Sequence, residues 1–162
     1  MELNPGSGRE ETEQERVDRN LTEFLGELRV ALPGVQVLFA FLLVVPFNQR
    51  FADVTSFQKS VYFVTLLCAA CASVCLIAPT VHHRVEFRRQ DKERILLLAN
   101  RLAIAGLVFL AVAMIGALLL ITDFLYDSTT TTIAIAAVAI TFFTIWFGIP
   151  LRRLLMSATD DR

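Results

Sequence analysis

Four long stretches without a charged residue constrain this sequence of 162 residues more than any other feature. They contain 20, 24, 21 and 24 residues and run over Val30–Gln49, Ser60–His83, Leu102–Thr122 and Ser128–Leu151. A helix needs about 20 apolar residues to cross the hydrocarbon layer of a bilayer, whereas helices on the surface of a soluble domain carry a charged face. The sequence therefore predicts four transmembrane helices and excludes a soluble domain, in line with its mean hydropathy of +0.57.

We predict an all-α fold, a transmembrane four-helix up-down bundle with an N-terminal amphipathic helix that is cytoplasmic or interfacial. The connections between the first and second spans and between the third and fourth are short, which favours antiparallel neighbours. One membrane domain is expected over residues 12–155, between a disordered tail over 1–11 and a C-terminal tail over 156–162. Within it we expect the amphipathic helix at 12–31 and the spans at about 33–48, 57–79, 96–122 and 132–150.

The segment before the first span has the pattern of an amphipathic helix. Thr12 and Glu15 have the spacing of a capping box, which satisfies free N–H groups at a helix start. Apolar side chains then recur every three or four residues, at Val17, Leu21, Phe24, Leu28 and Leu32. Pro33 follows and predicts a kink or a new helix start. We expect this helix to lie along the membrane or on the second connection; the alternative is a solvated helix that merely extends the first span.

Basic residues predict the orientation, because they are retained on the cytoplasmic side. If the spans are as above, 13 Lys and Arg residues fall on one side, and only Arg50 and Lys59 fall on the other. This predicts a multi-pass protein of the cell (inner) membrane with both termini in the cytoplasm. No signal peptide is apparent ahead of the spans. The net charge of −1 argues against a nucleic-acid partner.

Three spans carry one face of small side chains, which is what helices need to pack closely in lipid. These faces predict the helix contacts of the bundle, or part of a homo-oligomer interface. In the third span the face comprises Ala99, Ala103, Gly106, Leu110, Ala113 and Ala117. In the fourth it comprises Ala134, Ala137, Thr141, Thr144 and Gly148, and in the second Thr65, Cys68, Ala72, Cys75 and Pro79.

No pattern in the sequence indicates catalysis, a cofactor or a metal. Cys68, Cys71 and Cys75 share one helix face, but no His or carboxylate lies near enough to complete a metal site. His82 and His83 are adjacent and point about 100° apart on a helix, so they are poorly placed to chelate one ion. No charged residue or histidine lies at the centre of a span, where cation exchangers usually need one. We therefore predict no catalytic, cofactor or metal residues and no enzyme.

Polar residues at the cytoplasmic end are the candidate site. Arg101 precedes the third charge-free stretch and can extend its charge to the interface, at the level expected for Glu27. We predict a polar cluster that fixes the register of the helices by pairing. Its members are Glu27, Arg29, Gln36, Asn100 and Arg101, joined by Glu93 or Arg94.

Several segments resemble a family of small actinobacterial membrane proteins of unknown function. The first is the run from Glu27 to Leu43 with Pro46 and Phe47 after it. The others are His83-Arg84, Phe87–Arg89, Asp91–Arg94, Asn100–Ala103 and Gly148–Pro150. The similarity extends over about 16–155. It implies four spans, a bacterial inner membrane and no established activity, and it supplies no site residues.

Two functions remain open at this point. The first is a structural or accessory membrane protein that acts through contacts with itself or with another membrane protein. The second is a minimal transporter or channel for a small solute or ion, assembled by oligomerisation because four spans are few for a complete path. Both imply the lipid bilayer as a partner.

Overall fold

Four helices make up the protein in a computed structural model that describes residues 13–85, 92–148 and 152. They are α1 (Glu13–Val44), α2 (Ser56–Val85), α3 (Lys92–Leu125) and α4 (Ser128–Phe142). Two short 3-10 turns, Val45–Phe47 and Gln49–Asp53, connect α1 to α2, and a π-helical segment, Phe143–Gly148, continues α4. The all-α prediction is confirmed for the described residues. The predicted tails, Thr12 of the capping box and the centre of the second connection lie outside them.

All four helices contain a segment that is long and apolar enough to cross a membrane. The segments are Thr22–Phe47, Ser56–Val81, Leu97–Leu125 and Ser128–Trp146. Because each exceeds 18 residues, each suffices for most or all of the hydrocarbon layer, given a rise of about 1.5 Å per residue. The four segments indicate a multi-pass membrane protein.

The helix α1 is continuous through Pro33. The predicted new helix start at this proline is therefore not observed, and no boundary separates the N-terminal part of α1 from the first span. Proline removes the hydrogen bond that its N–H would donate to the carbonyl of Arg29. Pro33 is exposed, and the core contacts on the other side of α1 continue past it from Leu28 to Val35. The N-terminal part of α1 thus runs on into the first span, but it is not merely solvated, since Leu28 lies in the core and Phe24, Leu25 and Leu32 pack against it.

Two clusters of buried side chains join α1, α2 and α3. The first comprises Leu28, Val35, Ala72, Leu76 and Ala103, and the second comprises Leu42, Tyr62, Ala69 and Ala113. Along α1 and α3 the first cluster precedes the second, whereas along α2 the second cluster comes first. The same two clusters thus fix which turns of α2 lie beside which turns of α1 and α3.

The packing of α2 against α3 depends on two glycines. A Cβ atom added to Gly106 would lie 2.7 Å from Cγ of Leu76, and one added to Gly116 would overlap Oγ1 of Thr65. In both cases the added Cβ would lie closer than van der Waals contact. Any other residue at position 106 or 116 would therefore force Leu76, Thr65 or the helices themselves to shift. Most of the predicted small face of α3 is buried here, namely Ala99, Ala103, Gly106 and Ala113.

The fourth helix is attached differently from the other three. Within the part of the chain that the structure describes, α4 packs along α3 and does not contact α1 or α2. Asp127 begins α4 by accepting hydrogen bonds from the amides of Thr129 and Thr130 and from the Thr130 hydroxyl, the last at 2.6 Å. These bonds, that of the hydroxyl above all, lower the pKa of Asp127. Among residues 13–85 and 92–148, no contact between α4 and α1 closes the bundle.

A buried hydrogen bond joins α2 to the end of α1. The hydroxyl of Tyr62 donates to the carbonyl of Leu42 at 2.9 Å. In a continuing helix that carbonyl would accept from the amide of residue 46, but Pro46 has no N–H. Tyr62 therefore satisfies a carbonyl that the sequence leaves without its helical partner.

We expect Tyr62→Phe to lower the free energy of unfolding by about 1–3 kcal/mol, because a buried carbonyl is left unsatisfied. The measurement is unfolding of the detergent-solubilised protein by titration with a denaturing detergent. Tyr126→Phe is the matched control, since Tyr126 is 61% exposed, and it should change stability by less than about 0.5 kcal/mol. Equal effects of the two variants would contradict a structural role for the bond.

We expect Gly116→Ala to destabilise the protein by about 1–3 kcal/mol in the same titration, because the new methyl group overpacks the α2–α3 contact. The hydroxyl of Thr65 has little freedom to move, since it donates to the carbonyl of Val61 at 2.7 Å. Gly34→Ala is the control: nothing lies within 4 Å of its added Cβ, so helix propensity should make it neutral or stabilising. Thr65→Ala should rescue Gly116→Ala; a failure to rescue would place the strain elsewhere.

Candidate functional site

The five residues of the predicted polar cluster are all exposed side chains. Glu27, Arg29 and Gln36 lie on α1, and Asn100 and Arg101 lie on α3. Both groups lie beside the first core cluster along the chain, because that cluster contains Leu28 of α1 and Ala103 of α3. Among the described residues no hydrogen bond or ion pair joins any two of the five. The cluster stays a prediction, and the side chains of Glu93 and Arg94 lie outside the described residues.

The cysteines and histidines are placed as follows. Cys71 is exposed, and Cys68 and Cys75 are half-buried beside the α2–α3 contact. The side chains of His82 and His83 lie outside the described part of the structure. Among the described residues, no group of three or more Cys, His, Asp or Glu side chains is placed to hold a metal ion.

The predicted small faces differ in what covers them. Thr65, Ala72 and Pro79 of the α2 face are buried, in the region where α2 meets α3. On the corresponding face of α4, Ala137, Thr141 and Thr144 are exposed and therefore uncovered, while Ala134 and Gly148 are half-buried.

An apolar cavity of about 490 Å³ lies beneath the turns that connect α1 to α2. We call it the connection cavity. Its walls come from the last turns of α1, the first turns of α2 and the last turns of α3. The large apolar side chains that line it on α1 and α3 are Leu38, Phe41, Leu42, Leu120, Ile121, Phe124 and Leu125.

Local interactions hold in place the turn Gln49–Asp53, which forms the roof of the connection cavity. The side chain of Asn48 accepts a hydrogen bond from the amide of Arg50 at 3.1 Å and so begins the turn Gln49–Asp53. That turn places the ring of Phe51 edge-on to Tyr62, with 5.3 Å between ring centroids. Because Tyr62 is itself bonded to α1, the roof is attached to both helices.

The rim of the connection cavity is polar. Nε2 of Gln58 donates to Asp123 at 2.9 Å, which joins α2 to α3 at the rim, and Oε1 of Gln58 accepts from the amide of Thr55. Asn48 and Arg50 also line the cavity. Arg50 alone is charged among the described lining residues, and its guanidinium forms no ion pair with a described carboxylate.

This cavity was not predicted from the sequence, in which Arg50 indicates only the orientation of the protein and the segment between the first two spans is a short connection. One available signal was Tyr62, whose hydroxyl needs a partner when it is buried in an apolar span. Another was the run Pro46-Phe47-Asn48, which ends a helix and begins a turn.

A chain of four membrane-length helices belongs to the class of small helical membrane proteins. More particularly, it belongs to the family of unknown function DUF6328, which matches residues 10–150. The predicted resemblance to a family of unknown function is confirmed at that level. Comparison with curated proteins and with solved structures gave no match.

The predicted polar cluster is tested by a double-mutant cycle on Glu27 and Arg101. We expect Glu27→Gln combined with Arg101→Gln to lose less stability than the sum of the single variants, by about 0.5 kcal/mol or more. Exposure should keep the coupling below about 1 kcal/mol. Glu27→Gln combined with Arg50→Gln is the control, because Arg50 lies beyond the other end of α1, and that pair should be additive. Additivity of both pairs would contradict the cluster.

Proposed function

We propose that this protein is a structural or accessory component of the bacterial cell (inner) membrane, with both termini in the cytoplasm. It acts through contacts of its helices with a second copy or with another membrane protein and catalyses no reaction. The excess of basic residues in the N-terminal segment and the second connection supports this orientation. The observation that carries the proposal is the uncovered small face of α4.

Association of helices in lipid relies on close packing, because lipid tails are as apolar as leucine side chains. The helices α2 and α3 pack closely in this way, with Gly106 and Gly116 at their contact. On α4 the half-buried side chains Ile135, Val138 and Phe142 lie on another side of the helix from the small face. Ala137, Thr141 and Thr144 thus have the composition of a packing face without a neighbour in the described structure.

A second copy of the same helix is the simplest occupant of this face. A two-fold arrangement brings one face against itself, so residues that permit close approach on one chain do so on the other. The hydroxyls of exposed threonines add interhelical hydrogen bonds, of which Thr144 is one candidate donor. We therefore assign the contact to α4 packed against α4.

The experiment compares two neighbouring alanines of α4. Ala137 lies on the small face, and Ala136, also exposed, points about 100° away from it. We expect Ala137→Leu to shift the protein from dimer to monomer in mild detergent and Ala136→Leu to leave the dimer intact. Native mass spectrometry and chemical crosslinking in native membranes measure the two states.

The outcomes separate the candidate functions. Wild-type protein that is strictly monomeric and captures no membrane-protein partner would overturn the proposal. A dimer that Ala136→Leu and Ala137→Leu weaken equally would place the contact elsewhere. Flux of ions or small solutes above that of empty liposomes would favour the alternative, a minimal oligomeric transporter or channel.

A further inference from the structure

We propose that the connection cavity binds one acyl chain of an anionic lipid, with the lipid phosphate at Arg50. This site is distinct from the small face of α4 and uses none of its residues.

The cavity has the size and lining of a site for an apolar ligand. Its volume of about 490 Å³ falls within the range of about 300–1,000 Å³ that is typical of small-molecule sites. Such sites are mostly apolar with a few polar groups that orient the ligand. Leu38, Phe41 and Leu120 supply walls against which an acyl chain packs.

The polar groups and the apolar walls of the cavity come from different segments of the chain. The first membrane-length segment ends at Phe47, and the second begins at Ser56. Asn48 and Arg50 belong to the connection between these two segments, while Leu38 and Phe41 belong to the first segment. A ligand that fills the cavity and reaches the rim must be apolar along its length and polar at one end, which describes a lipid.

The charge of the rim selects an anionic head. The guanidinium of Arg50 suits a phosphate because its planar fork donates two parallel hydrogen bonds. Asp123 at the rim already accepts a hydrogen bond from Gln58. Asp53 ends the turn that contains Arg50 and is exposed. Neither forms an ion pair with Arg50 in the described structure, so the guanidinium is available to a phosphate.

The test measures lipid retention by native mass spectrometry of the full chain in mild detergent. The probes are phosphatidylglycerol and phosphatidylcholine with identical acyl chains. We expect the wild type to retain phosphatidylglycerol preferentially and Arg50→Gln to weaken that binding about tenfold, the loss expected for one charge-assisted contact. Lys59→Gln is the matched control, since Lys59 is exposed nearby and does not line the cavity; it should retain the lipid.

A second variant tests the acyl chain rather than the head. Ala117 lines the cavity, and Ala117→Leu should reduce the retention of both lipids and the rise in melting temperature that phosphatidylglycerol produces. Its melting temperature without lipid shows whether the variant is folded, and Ala136→Leu, which adds the same bulk at an exposed position of α4 outside the cavity, should retain both lipids as the wild type does. Equal losses in Arg50→Gln and Lys59→Gln would overturn the proposal, as would retention that neither Arg50→Gln nor Ala117→Leu changes.

Discussion

The close approach of α2 and α3 is the interaction on which the rest of the structure depends. In water a helix pair gains from burying apolar surface, but in lipid that gain is absent and packing must supply the attraction. Gly106 and Gly116 meet Leu76 and Thr65 at distances that no other residue permits. The helix α1 then packs against the pair that they form, and α4 packs against one member of it. A change at this contact therefore alters the surface on which α1 packs, since α1 contacts both helices of the pair.

Helix ends impose a second constraint, because an unpaired backbone carbonyl is costly where water is scarce. Pro46 ends α1 and deprives Leu42 of its helical partner, and Tyr62 supplies the replacement. Pro33 makes the same change within α1, where it is exposed and the core contacts continue from Leu28 to Val35. The same residue type thus requires a compensating side chain at one site and none at the other.

Much of the fold was predictable, because length, charge and helical spacing are local properties of the sequence. The small face of α3 was identified from its spacing, and Ala99, Ala103 and Ala113 are buried as it implied. The new helix start considered at Pro33 is not observed, because α1 continues through the proline with core contacts on both sides of it, and the alternative of a kink stays a prediction. The connection cavity was not predictable, since it depends on turns between Val45 and Asp53 that have no periodicity. Its lining residues are also distributed over three helices, and only their packing brings them together.

The chain separates its two candidate surfaces between different helices. The connection cavity is built from α1, α2, α3 and the turns between the first two, whereas the small face belongs to α4. Because α4 contacts neither α1 nor α2 in the described structure, a partner on α4 does not have to displace a lipid from the cavity. The loose attachment of α4 then has a physical reason, since a helix packed on all sides within one chain has no face left for a neighbour.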